Sequence, residues 1–317
     1  MKTQQENFLK ANKYADLPRA LRKGKTFFIL SMITLPVIGF AIFYVAVNIN
    51  SILMAFQRFD GYENGQAMYS WTFEHFTHLM RSLSTGGNQL RIALRNTLLF
   101  FGNEIILMLP ATFFISYFLF KRITGYKVFR VLFYLPNILS AMIMVVAYKN
   151  IIAVEGPISN IIWNHGGEPL PSFLTNEKTA IWTILIYCIW AGFGANMILF
   201  QGGMYRIPTE VLEVGAIEGV NAWQELTKII LPMMWNTFST VLILKLSTVF
   251  TVSGPILLFT QGAYDTYTIS YWIFAQVQGS ADFSFASAVG LFFTLVNIPI
   301  VFGARFIVNR IYADVEY

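Results

Sequence analysis

The chain has 317 residues, of which 56% are hydrophobic and 12% are charged, and its mean hydropathy is +0.55. Soluble domains carry about 25% charged residues, so this composition excludes an ordinary soluble protein and predicts an integral membrane protein. The net charge of +5 does not indicate nucleic-acid binding, because the basic residues gather at the ends of apolar runs.

The first predicted element is a basic tail, residues 1–26, which precedes an apolar run too long for a signal peptide. The tail contains Gly24-Lys25-Thr26, which matches the end of a phosphate-binding loop. The full loop needs a glycine where this chain has Arg19, and a strand before it. We therefore interpret the tail as the basic flank of the first membrane span.

Apolar segments long enough to cross a bilayer, which takes about 20 residues, recur along the chain. They cover residues 27–56, 92–120, 128–148, 180–200, 229–259 and 285–308. The predicted fold is an all-α membrane protein with six transmembrane helices over residues 27–308. Most Lys and Arg residues lie in the two tails (1–26 and 309–317), after span two, or within 201–228. The positive-inside rule then predicts a multi-pass protein of the cytoplasmic membrane with both termini in the cytoplasm.

The loop after the first span contains a small cluster of potential metal ligands, Glu74, His75 and His78. Two histidines three residues apart, with no further ligand pair, are a weak metal signal. Trp71 and Phe73 lie beside them, which favours an amphipathic external helix on the membrane surface. The only cysteine, Cys188, lies in an apolar run. We therefore predict no metal site.

Between spans four and five the apolar pattern is interrupted by an acidic, glycine-containing stretch. Pro208 suits the first turn of a helix, and Glu210 complements the helix dipole. Gly215 allows another backbone to come close, and Gly219 is a natural helix stop. Asn221, with a glutamine three residues later, resembles a capping box that starts a second helix. This pattern alone leaves a docking surface, an interfacial helix and a structured loop open, although the acids count against the interfacial helix.

Ionisable residues near the middle of a membrane span are costly and often functional. Glu104 lies in span two and Lys245 in span five, which run in opposite directions. The two side chains could neutralise one another across the bundle. The alternatives are a water-filled cavity or direct contact with a transported solute or proton.

Residues 213–219 read Glu-Val-Gly-Ala-Ile-Glu-Gly, and Ile-Ile-Leu-Pro follows at 229–232. This pattern resembles the EAA motif of binding-protein-dependent ABC importer permeases. Further motifs resemble carbohydrate-uptake permeases of the maltose and glycerol-phosphate type: Arg95-Asn96-Thr97-Leu98, Phe129-Arg130, Leu135-Pro136, Ile207-Pro208-Thr209-Glu210 and Phe285-Ala286-Ser287-Ala288. The departures are Val214-Gly215 in place of paired alanines, Glu218 in place of Asp, and Thr260-Gln261-Gly262-Ala263 in place of a Gly-Gly-Pro turn.

The resemblance implies that residues 208–219 form a cytoplasmic coupling helix that docks in a cleft of an ATPase subunit. Glu213 would make charge-assisted hydrogen bonds there. The implied ATPase-coupling residues are Glu210, Glu213, Ala216, Glu218, Gly219, Leu231 and Pro232. Implied partners are a second permease subunit, two ATPase subunits that bind ATP and Mg, an extracytoplasmic solute-binding protein, membrane lipid and a carbohydrate solute. This chain would hold no cofactor, catalyse no reaction and bind no nucleic acid.

A carbohydrate pathway would combine aromatic surfaces with hydroxyl, amide and charged groups. The candidate pathway residues are Glu104, Trp182, Tyr187, Trp190, Asn196, Lys245, Ser247, Thr248 and Thr251. The alternative function is an ion- or proton-coupled secondary transporter that uses Glu104. The lack of inverted repeats and the presence of the docking motif count against it. A membrane-embedded enzyme is disfavoured because no catalytic constellation is present.

Overall fold

Apolar helices make up most of the computed structural model, which describes residues 19–63, 65–85, 88–279 and 283–311. Residues 1–18 and 312–317 of the predicted tails lie outside the described residues. The first helix already begins at Arg19 and the last ends at Ile311. Both helices therefore extend beyond the predicted limits of the membrane domain.

The helical elements are numbered here in chain order. The α-helices are α1 (Arg19–Phe40), α2 (Val47–Ala55), α3 (Glu74–Ser84), α4 (Gln89–Gly102), α5 (Leu109–Phe120), α6 (Tyr126–Ile138), α7 (Ala141–Ile151), α8 (Pro157–Asn164), α9 (Ala180–Met204), α10 (Thr209–Ile217), α11 (Ala222–Gln224), α12 (Leu231–Met233), α13 (Trp235–Ser247), α14 (Ile256–Phe259), α15 (Ile269–Gly279) and α16 (Phe283–Ile311). π-Helical segments join α1 to α2 (Ala41–Ala46), α4 to α5 (Asn103–Met108) and α11 to α12 (Glu225–Ile230). A 3₁₀ turn spans Phe173–Thr175.

Among the described residues, four continuous helices are long and apolar enough to cross a membrane. They cover Phe27–Ala55, Gln89–Phe120, Ala180–Met204 and Phe283–Arg310. Two bent helix pairs raise the number of spans to six if each pair counts as one. The bundle is thus compatible with the predicted six spans, and it departs from the prediction in how two of them are built.

The third predicted span, residues 128–148, is not one continuous helix. α6 and α7 meet at 111°. Leu139 and Ser140 between them have extended backbones, with ψ of 153° and 135°. Pro136 lies just before this break, and proline removes a backbone donor and crowds the preceding helical turn. Hydropathy recorded the apolar length of this segment and not its change of direction.

The fifth predicted span, residues 229–259, is also broken. The helix over Ala222–Met233 meets α13 at 77°, and α13 ends at Ser247 rather than near residue 259. The bend lies at Met234 (φ −106°, ψ 17°), two residues after Pro232. Turns follow α13, and the remaining apolar residues form the separate short helix α14.

The prediction of an all-α fold missed a β-hairpin directly after α2. β1 (Gln57–Glu63) pairs in antiparallel fashion with β2 (Gln66–Trp71), and Phe59 lies opposite Tyr69. The predicted external amphipathic helix is present as α3, although Trp71 belongs to β2 and not to the helix.

The two histidines of α3 have structural partners. His75 Nε2 donates to the Gln57 carbonyl oxygen at 3.0 Å, which ties α3 to the hairpin. The ring of His78 makes an edge contact with the ring of Phe285 at 4.6 Å between centroids. Both histidines therefore help to hold α3 against neighbouring elements.

The helix α9 lies at the centre of the bundle, in contact with α5, α6 and α13. Two apolar clusters are built on opposite halves of α9, one around Ile184 and Tyr187, the other around Phe200 and Met204. A third cluster joins α4, α15 and α16. The first span contrasts with α9, since no described side chain between Phe27 and Met54 is buried. Lipid or another subunit must therefore cover that span in the membrane.

Candidate functional site

The short helix α10 stands between the two central spans, α9 and the broken pair α11–α13. The structure corrects the predicted role of Pro208, which is the N-cap residue and has an extended backbone (φ −58°, ψ 134°). The helix itself begins at Thr209, and Glu210 lies in its first turn, where a carboxylate complements the partial positive charge of the helix N-terminus.

The end of α10 has the geometry of a Schellman motif. Gly219 adopts a left-handed backbone with φ of +72°. The Val220 N–H donates to the Gly215 carbonyl at 3.0 Å, and the Gly219 N–H donates to the Ala216 carbonyl at 3.2 Å. The predicted glycine stop is therefore present. The predicted capping box follows at once, with Asn221 and Gln224 joined by reciprocal hydrogen bonds of 2.9 and 3.0 Å.

The two faces of α10 have different partners. On the inner face Gly215 is buried, and a Cβ atom at that position would come within 2.8 Å of Ile229 Cδ1. The close approach predicted at Gly215 is therefore made by a side chain and not by a second backbone. On the outer face Val211, Val214 and Ile217 form an apolar strip at three-residue spacing, and their exposed fractions rise from 36% through 55% to 86%.

The remaining predicted coupling residues divide between that exposed face and the bundle. Glu210, Glu213, Ala216 and Glu218 are exposed, and Glu218 is the C-cap residue of α10. The three carboxylates form no ion pair with any residue of the described chain. Leu231 and Pro232 are partly buried instead, and Leu231 packs against the apolar cluster around Phe200. α10 therefore presents a strip of apolar and acidic side chains that no other described residue of the chain covers.

A clamp that was not predicted fixes the segment after α10 to the end of α5. Lys121 Nζ donates to both carboxylate oxygens of Glu225, at 2.9 and 3.0 Å. The Tyr117 hydroxyl donates to the same carboxylate at 3.3 Å, and the Glu225 side chain is only 13% exposed. One turn away, the rings of Trp223 and Phe114 stack at 5.9 Å between centroids. Local sequence carries no signal for this clamp, because Lys121 and Glu225 are 104 positions apart.

Glu104 and Lys245 form an ion pair in the middle of the bundle, with 2.5 Å between Lys245 Nζ and Glu104 Oε1. Asn196 of α9 donates its side-chain amide to the same carboxylate oxygen at 3.4 Å. Glu104 lies in the π-helical segment Asn103–Met108, and π-helical turns are frequent at functional sites. The structure thus brings together three of the predicted pathway residues from three separate spans.

The predicted aromatic residues lie elsewhere. Tyr187 is buried, and its ring contacts those of Tyr148, Phe259 and Trp190. Trp190 also stacks on Tyr148, so both residues belong to an aromatic cluster that holds α7 and α14 against α9. Trp182 is separate from this cluster and is 52% exposed at the first turn of α9.

The predicted hydroxyl residues are exposed, and each satisfies a nearby backbone carbonyl. Ser247 donates to Ile243 at 2.8 Å, Thr248 donates to Lys245 at 3.0 Å, and Thr251 donates to Thr248 at 3.1 Å. All three residues lie at or just after the C-terminal end of α13. They surround the end of the helix that carries Lys245 and do not join the aromatic cluster.

The unusual turn before α15 is held by residues of the Arg-Asn-Thr-Leu motif on α4. Asn96 donates its amide to the carbonyl oxygens of Asp265 and Tyr267 at 2.6 and 2.9 Å. The Thr97 hydroxyl accepts from the Ile269 N–H at 2.9 Å. Gln261, Tyr264 and Asp265 all have positive φ, between 52° and 56°. The sequence that replaces the Gly-Gly-Pro turn therefore still forms a tight turn, and α4 supplies its hydrogen bonds.

Comparisons with known proteins agree with this architecture. Residues 108–313 match the family described as binding-protein-dependent transport system inner membrane component. The chain is 25% identical over 259 residues to the probable ABC transporter permease protein YesP of Bacillus subtilis (strain 168), covering 80% of this chain and 81% of YesP. It is 30% identical over 200 residues to the maltose/maltodextrin permease MalF of Vibrio vulnificus, covering 59% of this chain and 38% of MalF.

The fold also matches a solved structure over nearly its whole length. A chain from the crystal structure of a bacterial ABC transporter involved in import of the acidic polysaccharide alginate aligns with a TM-score of 0.76 and 24% identity. The alignment covers 93% of this chain and 99% of that chain. The family match over residues 108–313 decides the assignment: this chain belongs to the binding-protein-dependent transport system inner membrane components, which are ABC importer permeases.

Proposed function

We propose that this chain is one of two permease subunits of an ATP-driven importer that moves an oligosaccharide or related carbohydrate across the cytoplasmic membrane. The observation that carries the proposal is α10, a helix whose apolar and acidic face is exposed in an otherwise lipid-suited chain. Such a face requires a protein partner, because exposed apolar strips rimmed by polar groups mark interaction sites.

The partner of α10 in this proposal is a cytoplasmic ATPase subunit. Val214 and Ile217 enter an apolar cleft of that subunit, and Glu213 accepts hydrogen bonds from its donors. Closure of two such ATPase subunits on ATP and Mg then pulls on α10. The clamp between Lys121 and Glu225 transmits this displacement to α5, and Leu231 and Pro232 transmit it to the bent fifth span.

The proposed class of solute is inferred from the proteins to which this chain is similar. The relatives named above include a maltose/maltodextrin permease, and the alginate importer that shares the fold was also solved with a pentasaccharide-bound periplasmic protein. By analogy, a solute-binding protein delivers the carbohydrate to this chain and a second permease. The secondary-transporter alternative is not favoured, because Glu104 is already engaged by Lys245 and Asn196.

Substitution at α10 tests the coupling role. We expect Glu213→Ala combined with Gly219→Pro to abolish uptake and solute-stimulated ATP hydrolysis in reconstituted vesicles, while membrane insertion persists. Proline fixes φ near −65° and cannot adopt the +72° of Gly219, so the helix stop is lost. Gly202→Ala is a matched control, because a Cβ atom there meets no neighbour. Wild-type uptake by the double variant would exclude α10 as the coupling helix.

The proposed topology has six spans, with both termini and α10 in the cytoplasm. Single cysteines at Thr3 and Tyr264, in a Cys188→Ser background, should react with impermeant reagents from opposite sides of the membrane. Labelling of both positions from outside would refute this topology.

A further inference from the structure

A cavity of about 330 Å³ opens at the end of the bundle opposite to α10. Its walls come from α4, from the start of α9 and the loop before it, and from the turn before α15. They include Arg95, Glu177, Lys178, Trp182 and Asp265. Arg95 and Lys121 mark the two ends of one helical span, and 26 residues of helix separate them by about 39 Å. The cavity is therefore far from the coupling helix, whereas only about 14 Å of helix separates Arg95 from Glu104 of the central ion pair.

The charged side chains around this cavity are equally divided between the two signs, and none takes part in an ion pair of the described chain. Arg95 and Lys178 are cationic, Glu177 and Asp265 are anionic, and all four residues are exposed. A ligand with hydrogen-bond donors alone would need only the acids, and an anion would need only the bases. A neutral polyhydroxylated ligand uses both, because each hydroxyl donates and accepts.

Trp182 adds an apolar wall to these polar groups. Trp182 is 52% exposed and lines the cavity, so its ring is open to a ligand there. A pyranose ring has an apolar face formed by its C–H bonds and a rim of hydroxyl groups. An aromatic ring matches the apolar face of the sugar, and the neighbouring cationic and anionic groups match its hydroxyl rim.

The turn that carries Asp265 is strained and held in place. Tyr264 and Asp265 have φ of 56° and 55°, a left-handed conformation that residues other than glycine rarely adopt and that clusters at ligand sites. Asn96, which is 2% exposed, fixes the turn through the Asp265 and Tyr267 carbonyls. Tyr264 lines a second cavity of about 410 Å³ with Lys149 and Phe259. Tyr264 and Asp265 are adjacent in one turn, and each lines a different cavity. Two neighbouring cavities suit a ligand of several linked rings.

We propose that the cavity between Trp182 and Asp265 is a carbohydrate subsite that takes one ring of a neutral oligosaccharide at the mouth of the translocation path. This inference rests on the proposed function and names the part of the chain that first meets the solute. The hydrogen bonds come from Arg95, Lys178 and the two carboxylates, and Trp182 stacks on the sugar face.

The test measures carbohydrate binding to the assembled importer in nanodiscs without its solute-binding protein. The probes are neutral hexose and pentose oligosaccharides, with oligo-uronates as charged counterparts. We expect Trp182→Ala and Asp265→Asn each to weaken binding of the best neutral probe about tenfold. Trp163→Ala and Glu168→Gln are matched controls, because both residues are exposed and neither lines this cavity. Oligo-uronates should bind the wild-type complex more weakly than neutral oligomers.

Unchanged affinity in both cavity variants, or preferential binding of oligo-uronates, would overturn the proposal. A second measurement gives the affinity of the solute-free binding protein for the same complexes. If the cavity variants weaken that affinity and leave sugar binding unchanged, the cavity is a protein contact and the carbohydrate subsite is refuted. A complete importer that takes up no carbohydrate would instead refute the proposed function together with this inference. If only the subsite assignment is wrong, the wild-type importer still takes up carbohydrate.

Discussion

At the end of the bundle that carries α10, Lys121 donates to both carboxylate oxygens of Glu225, whereas at the opposite end Arg95, Glu177 and Lys178 surround a cavity without any ion pair in the described chain. The paired charges lie against packed helices and restrict the motion of one element relative to another. The unpaired charges remain hydrated and available to a ligand. In the proposed mechanism, the same residue types therefore serve mechanical linkage at one end and ligand recognition at the other.

The ion pair between Glu104 and Lys245 belongs with the mechanical group, although it lies between the two ends. Its side chains are about 30% exposed and join spans that are distant in sequence. A charged pair in the middle of a bundle is costly to break, because the remaining partner is left without compensation. The expected loss of stability therefore decreases from the central pair to the paired end and then to the unpaired end.

The largest effect is expected at the central pair. Glu104→Gln and Lys245→Met should each destabilise the assembled complex by about 3 kcal/mol, since each strands a charge inside the bundle. The double variant should cost less than the sum of the single variants, because no stranded charge remains. Thermal unfolding and uptake measured through a double-mutant cycle provide the check. Additive effects would show that the pair is not coupled and would return Glu104 to the list of direct solute contacts.

A smaller effect is expected at the clamp next to α10. Glu225→Gln should destabilise the complex by about 1–2 kcal/mol, a value reduced by solvent because Lys121 is 43% exposed. The complex should remain folded and should still hydrolyse ATP. The amount of solute moved per ATP should fall. The exchange Lys121→Glu with Glu225→Lys should restore part of the coupling. If the exchange restores stability but not the amount of solute moved per ATP, the clamp is only structural.

The smallest effect on stability is expected at the unpaired end. Lys178→Ala and Glu177→Gln should change the unfolding free energy by less than about 0.5 kcal/mol, because no partner is left behind. Thermal unfolding of the complex without solute measures this change. A loss comparable to that of Glu225→Gln would show that these side chains are paired within the assembly, and the contrast between the two ends would disappear.

Much of α10 could be predicted from the sequence because its signals are local. The stop at Gly219 depends on the backbone freedom of one glycine, and the cap at Asn221 depends on a residue three positions away. The pairing of Glu104 with Lys245 was also within reach, because a charge at mid-span needs a partner and the chain offers few. By contrast, Trp182 was grouped with Tyr187 and Trp190 as a pathway residue, and the fold separates it from those two.

The amino-acid sequence by itself determined the membrane class, the apolar segments and the helix ends on either side of Gly219, because hydropathy and backbone preference act over short stretches. Only the tertiary structure decided the bends at Leu139 and Met234, the clamp between Lys121 and Glu225, and the hold of Asn96 on a turn 169 positions away. Such contacts depend on how separate helices pack. Residues far apart in the chain become neighbours only when the apolar surfaces between them are buried.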